Sequence, residues 1–138
     1  MKTTDVVVPR GQEILYNDFH FAPAVKDKDH LYCSGVIGMG PDGKVSSDPE
    51  TQFTQAFGSI KGVLEAAGLS FRDVVDITSF HVGLQANMRT FMKVKDRYVS
   101  EPYPAWTAIG ITELAVPGGL VEVRVIARLS QTAEKDDE

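Results

Sequence analysis

Two neighbouring stretches decide the fold: PYPAWTAIGITEL, from Pro102 to Leu114, and VEVRVIARL, from Val121 to Leu129. Pro102 and Pro104 donate no backbone hydrogen bond, so a helix ahead of them must stop. Trp106 to Leu114 then reads as a strand, rich in apolar and β-branched residues. The second stretch alternates, and successive strand side chains point to opposite faces. Val121, Val123, Val125, Ala127 and Leu129 share one face; Glu122, Arg124, Ile126 and Arg128 share the other. The first face is core. The second carries a carboxylate and two guanidinium groups, which suits a solvated surface, a subunit interface or a ligand cleft.

Upstream, three strands are expected: Thr4 to Val8, ended by Pro9; Phe21 to Lys26; and Leu31 to Ile37 after the polar turn KDKD (Lys26 to Asp29). The loop GMGPDGKVSS (Gly38 to Ser47) holds Pro41-Asp42-Gly43, which supplies the fixed φ, the local hydrogen bond and the positive φ of a tight turn. Ser47 or Asp48 caps a helix whose first turn accepts Pro49. Its stripe of Phe53, Phe57, Ile60, Leu64 and Ala67 has helical spacing, and Gly68 provides a left-handed stop. Val74 to Val82 reads as a strand, and Asn87 to Ser100 as a second helix with Phe91, Val94 and Tyr98 on one side. The order is β-β-β-α-β-α-β-β. This predicts an α+β domain with a six-stranded, mostly antiparallel sheet and two helices on one face. Two helices cannot cover both faces of such a sheet, so the other face meets solvent or another subunit. Its strands are too apolar for a fully wet face, which favours an oligomer. The charged tail QTAEKDDE lacks apolar anchors and is expected to fray.

A length of 138 residues predicts a single domain over 1–138. The formal net charge of -5 argues against sequence-independent nucleic-acid binding and against docking on anionic membranes. No apolar run approaches the ~20 residues of a membrane span, and the N-terminus MKTTDVVVPR lacks the apolar core of a signal peptide. Cys33 is the only cysteine, so an internal disulfide and a cysteine zinc cluster are excluded. A reducing, cytoplasmic setting fits.

The two opening stretches resemble the YjgF/RidA family, the reactive-intermediate (imine) deaminases once labelled endoribonuclease L-PSP. The resemblance extends to LYCSGVIG (Leu31 to Gly38), AFGSIKGVLEAAGLSFRDVVDITSFHV (Ala56 to Val82) and YVSEPYPAW (Tyr98 to Trp106), and is strongest toward the YjgH-like branch. It implies homotrimers whose sheets surround a central barrel, with ligand clefts between subunits and no cofactor. It implies that Glu122 positions a water for attack on an imine carbon, and it places that side chain in the intersubunit cleft near Trp106. Ser34 and Gly35 match an SG pair whose backbone approaches a ligand. Deaminase members carry an arginine where Trp106 stands, and its planar fork grips a substrate carboxylate. They carry an asparagine where Lys95 stands and a tyrosine where Phe21 stands. An indole offers one N–H and no charge, so it cannot replace that grip.

Each candidate has a plainer role. Glu122 can deprotonate water, or it can pair with Arg124, Arg128 or an arginine of another subunit. Trp106 can line the cleft or fill the core or an interface. Gly35 can mark a ligand approach or a bulge. Arg124 can bind an anionic ligand, though pairing of Arg124 and Arg128 with Glu122 and Glu113 is favoured. The stretch Gly38 to Lys44 spells G-x-x-x-x-G-K, but Val45 follows where a P-loop needs Ser or Thr, so it reads as a loop. His20, His30 and His81 lack metal-ligand spacing, and His81 is expected to hydrogen-bond within or beside its strand. Cys33 reads as a buried, inert thiol. Three functions stay open: an imine or enamine deaminase or related C–N hydrolase acting on a small molecule, a non-catalytic metabolite binder, and a ribonuclease or translation inhibitor.

Overall fold

The structure, a computed structural model, describes residues 1–129, so the expectation for the tail QTAEKDDE lies outside the described residues. In chain order the elements are β1 (Val6–Val7), α1 (Glu13–Asn17), β2 (Ala24–Asp27), β3 (His30–Cys33), β4 (Val36–Ile37), α2 (Pro49–Ala66), β5 (Val74–His81), α3 (Leu84–Tyr98), β6 (Ala105–Gly110) and β7 (Val121–Arg128). Short 3₁₀ turns precede β1 and β5. The strands form one sheet in the order β1-β2-β3-β7-β5-β6, with β4 also pairing with β7. Only β5 and β6 run parallel, as they must when the helix α3 carries the chain back between them.

The α+β class holds, with differences in detail. The sheet has seven strands rather than six, because the expected strand Leu31 to Ile37 breaks at Ser34-Gly35 into β3 and β4. Thr4 starts in a 3₁₀ turn and only Val6–Val7 pairs. The strand expected from Phe21 begins at Ala24. β6 ends at Gly110, not Leu114: Ile111 still donates to the His81 carbonyl at 2.8 Å, and the chain then leaves the sheet edge. The five-residue α1 had no forecast, since it is too short to show a helical period.

The helix α2 begins where the sequence indicates. Asp48 accepts hydrogen bonds from the Thr51 amide at 3.0 Å and its hydroxyl at 2.7 Å, and these bonds hold the Asp48 carboxyl below its ordinary pKa. The helix ends at Ala66. Gly68 follows with φ +76°, and Leu69 donates back to the Leu64 carbonyl. α2 and α3 cover one face of the sheet. Phe53, Phe57, Ile60 and Leu64 meet Phe91 and Val94 there, above Leu31, Ile77, Val121, Val123, Val125 and Ala127. Phe91 is the hub, with its ring centre 5.5 Å from Phe53, 5.6 Å from Phe57 and 4.7 Å from His81. Gln52, fully buried, ties loops to this core. Its Nε2 donates to the carbonyls of Ser46 and Gly118, and its Oε1 accepts from the Leu120 amide at 2.6 Å. It thereby fixes where β7 begins.

Candidate functional site

Register places the predicted site residues. Along β7, Val121, Val123, Val125 and Ala127 are fully buried under the helices. Glu122, Arg124, Ile126 and Arg128 therefore project from the open face. Glu122 lies opposite Phe80 of β5 and Ile37 of β4, and Arg124 lies opposite Thr78. The Glu122 carboxylate rests over the backbone at Gly35. A Cβ built on Gly35 would stand 2.7 Å from Glu122 Cδ and 2.8 Å from Cγ, inside any real contact distance. Glycine at this position is what lets the carboxylate lie against the β3–β4 break. The expected pairing of Glu122 and Glu113 with Arg124 and Arg128 does not occur within the chain: the ion pairs among the described residues join Glu50 to Lys93, Glu50 to Arg97, and Lys95 to Asp96. Glu122 and the two arginines on its face are left free to meet a ligand or another chain.

Ser34 works structurally. Its hydroxyl donates to the Ala22 carbonyl at 2.6 Å and its amide to the Pro23 carbonyl at 2.9 Å. These bonds draw the segment after Phe21 against the strand break beside Gly35. Phe21 itself is exposed.

Trp106 lies elsewhere. Ile77, its β5 neighbour in register, is fully buried, and Trp106 points to the same helix-covered side. Its ring centre is 5.9 Å from Phe91, and the Lys95 ammonium sits 4.8 Å from the indole centre. The one indole N–H donates to Ser79 Oγ at 2.9 Å, and that hydroxyl also meets His81 Nε2 at 2.7 Å. Ser79 and His81 are both buried, and burial pushes the His81 pKa down. Lys95 has no full-strength partner besides the indole, since Asp96 stands 3.8 Å away and is mostly exposed. Lys95 and Trp106 are thus brought together, as are Glu122 and Gly35. Within one chain the two pairs occupy opposite faces of the sheet.

Sequence reasoning missed Ser79 as the anchor of Trp106. The signal was present: in DITSFH, Ser79 and His81 fall on the side of the alternation that Ile77 marks as core, and buried polar groups need partners. Cys33 is buried as expected, and desolvation raises its thiol pKa to about 11 against the opposing pull of Arg124.

A two-helix layer over a mixed sheet, with a carboxylate folded against a glycine on the open face, defines a class of small α+β domains. Comparison with known proteins gives the family. The family model Endoribonuclease L-PSP matches residues 14–129. The RutC family protein YjgH of Escherichia coli is 38% identical over 126 residues, covering 91% of this chain and 95% of that protein. A solved structure of protein YJGH superposes with a TM-score of 0.83 at 37% identity, covering 92% of this chain and 97% of the other. A 2-iminobutanoate/2-iminopropanoate deaminase of Bos taurus is 33% identical over 112 residues, covering 78% of each chain. The chain belongs to the YjgF/RidA (endoribonuclease L-PSP) family. Among the described residues no helix is long and apolar enough to cross a membrane.

Proposed function

We propose that this protein binds a small molecule in a cleft between subunits and hydrolyses its C=N bond, acting on an imine or enamine that lacks the carboxylate of a 2-imino acid. The observation that carries the reading is the Glu122 carboxylate, without an ion-pair partner among the described residues and seated over Gly35 on the open face. A carboxylate so placed can take a proton from water as the water oxygen attacks the imine carbon. The C=N electron pair moves to nitrogen, which takes the proton back. Collapse of the carbinolamine to a carbonyl then breaks the C–N bond, and Glu122 passes the hydroxyl proton to the nitrogen that leaves as ammonia. The deaminase of Bos taurus supports the reaction class by its similarity. The substrate restriction rests on Trp106, whose only donor is already bonded to Ser79. That indole cannot hold a carboxylate, and the Lys95 ammonium over its ring is a point charge rather than the planar fork of an arginine.

The reading includes a homotrimer in the cytoplasm. Tyr32 and Ile109 are exposed on the open face with Glu122, Arg124 and Arg128, a mixed surface suited to another copy of the chain. Sedimentation at micromolar concentration should give three chains per particle; a clean monomer would remove the cleft. The same engagement of Trp106 also favours a second reading, a non-catalytic metabolite binder using the same cleft. A ribonuclease fits less well, because a net charge of -5 opposes an RNA backbone.

Ammonia release from a panel of imines decides between enzyme and binder. The wild type should be nearly inactive on 2-iminopropanoate and active on an imine without a carboxylate. Glu122→Gln should lower that activity by about 100-fold, with particle mass and melting temperature little changed. If Glu122 instead pairs with an arginine of a neighbouring subunit, the same change costs on the order of 3 kcal/mol of stability and leaves turnover intact.

A further inference from the structure

On the helix-covered side, at the far end of β5 and β6 from Trp106, an open cleft of about 580 Å³ is lined by His81, Gly83, Leu84, Gln85, Ala86, Gly110, Ile111 and Thr112. It sits at the start of the 15-residue helix α3. The N-cap there is Gly83, with φ 77°, no capping side chain and no acidic residue in the first turn. Among the described residues nothing accepts from the amides of Leu84, Gln85 or Ala86. Helix α3 therefore presents free N–H groups and the positive end of its dipole to the cleft.

His81 supplies an independent observation. Its side chain is 1% exposed, and its Nδ1 is buried with no hydrogen-bond partner. An indole N–H can only donate, so it occupies a lone pair of Ser79 Oγ. In the tautomer that accepts the Ser79 hydroxyl proton at His81 Nε2, the imidazole carries its own proton on Nδ1. That tautomer puts a buried, unpartnered donor on a residue that lines the cleft beside the free amides.

We infer that this cleft is a second ligand site, distinct from the Glu122 face, for a small organic monoanion: a carboxylate with a short apolar body. Its oxygens accept from the first-turn amides of α3 and from His81 Nδ1. The apolar body lies against Leu84, Ala86 and Ile111. Among the described residues no Lys or Arg lines the cleft, so the charge is too small to favour a phosphate dianion over a carboxylate.

The test is a titration of the ¹⁵N-labelled full-length protein with sodium pentanoate, followed by NMR. Saturable shifts are expected at the amides of Leu84, Gln85 and Ala86 and at the His81 imidazole. Inorganic phosphate at matched ionic strength should give none there. Gln85→Glu keeps the shape but places a carboxylate at the exposed first turn of α3, so it should abolish the saturable shifts without lowering the melting temperature. His81→Phe should weaken binding about tenfold, the effect of one lost hydrogen bond to a charged acceptor. Should His81→Phe fail to fold, Gln85→Glu still decides. The inference is overturned by the absence of saturable shifts at these amides. It is equally overturned by undiminished binding in Gln85→Glu, by tighter binding of phosphate, or by shifts confined to Lys95, Trp106 and Glu122.

Discussion

The two faces of the sheet are built on opposite principles, and β7 displays both. On its covered face most buried polar side chains have protein partners: Gln52 holds two loops, and Trp106, Ser79 and His81 form a relay that leaves His81 Nδ1 open at its far end. On its open face Glu122 ends on no cation among the described residues, and Tyr32 and Ile109 stay exposed. Apart from the cleft at His81, a face with buried, partnered polar groups is finished by the chain itself. A face with unpaired charges among apolar side chains is not, and it is where binding energy remains to be gained. The same contrast separates the candidate residues. Trp106 is anchored by Ser79 and carries the Lys95 ammonium over its ring in the covered layer, whereas Glu122 is held by shape alone, over a glycine.

The sharpest way to break this contrast is to truncate the hub of the covered face. Phe91 is fully buried and touches the rings of Phe53, Phe57, His81 and Trp106. Phe91→Ala should cost about 3–5 kcal/mol in urea unfolding, through lost transfer energy and the cavity left among rings that cannot collapse. A loss under about 1 kcal/mol would show that the covered layer relaxes freely and is not the rigid half of the molecule.

Gly35→Ala tests the other half. The new methyl group would collide with the Glu122 side chain rather than with backbone, so the carboxylate yields and the fold stays. Stability should fall by no more than about 1 kcal/mol, while turnover on a responsive imine falls on the order of 10- to 100-fold, since a misplaced catalytic group loses its oriented geometry. Full activity in this variant would mean that the seat over Gly35 is incidental.

Much of this arrangement can be read from the chain, and what cannot has a physical cause. The alternation of β7 and the stripe of α2 are strong because one face of each is fully apolar and the other is not. Asp48 and Gly68 mark the ends of α2 because capping chemistry is local. The seat of the carboxylate at the Ser34-Gly35 break is not local: Glu122, 87 positions further along the chain, folds over Gly35, and no short window contains both. The phase of β6 is hidden for another reason. Trp106, Ala108 and Ile109 are apolar on both sides of the alternation, so the sequence alone does not say that Trp106 and Glu122 point to opposite faces. Only the pairing of Trp106 with Ile77, and of Glu122 with Phe80, decides it.

The smallest expected effect probes the buried imidazole of the covered face, His81. Burial lowers the His81 pKa from its ordinary 6.5, so the folded protein holds the ring neutral where the unfolded chain has begun to protonate it. Below pH 6.5 the unfolded state therefore binds more protons than the folded state, and stability must fall with falling pH until the lowered folded value is reached. Above pH 6.5 both states carry a neutral ring and the term vanishes. One proton limits the slope to about 1.4 kcal/mol per pH unit. Urea midpoints of the wild type should drop between about pH 7 and about pH 5 more steeply than those of His81→Gln, which keeps hydrogen-bonding capacity but cannot titrate there. His20 and His30 are common to both proteins and cancel in the difference. Equal slopes would mean that His81 is protonated as easily in the fold as out of it. A wild type that gains stability relative to the variant as the pH falls would reverse the assignment, because only an anionic partner inside the covered face could favour the imidazolium, and that face would then hold a charge pair as the open one does not.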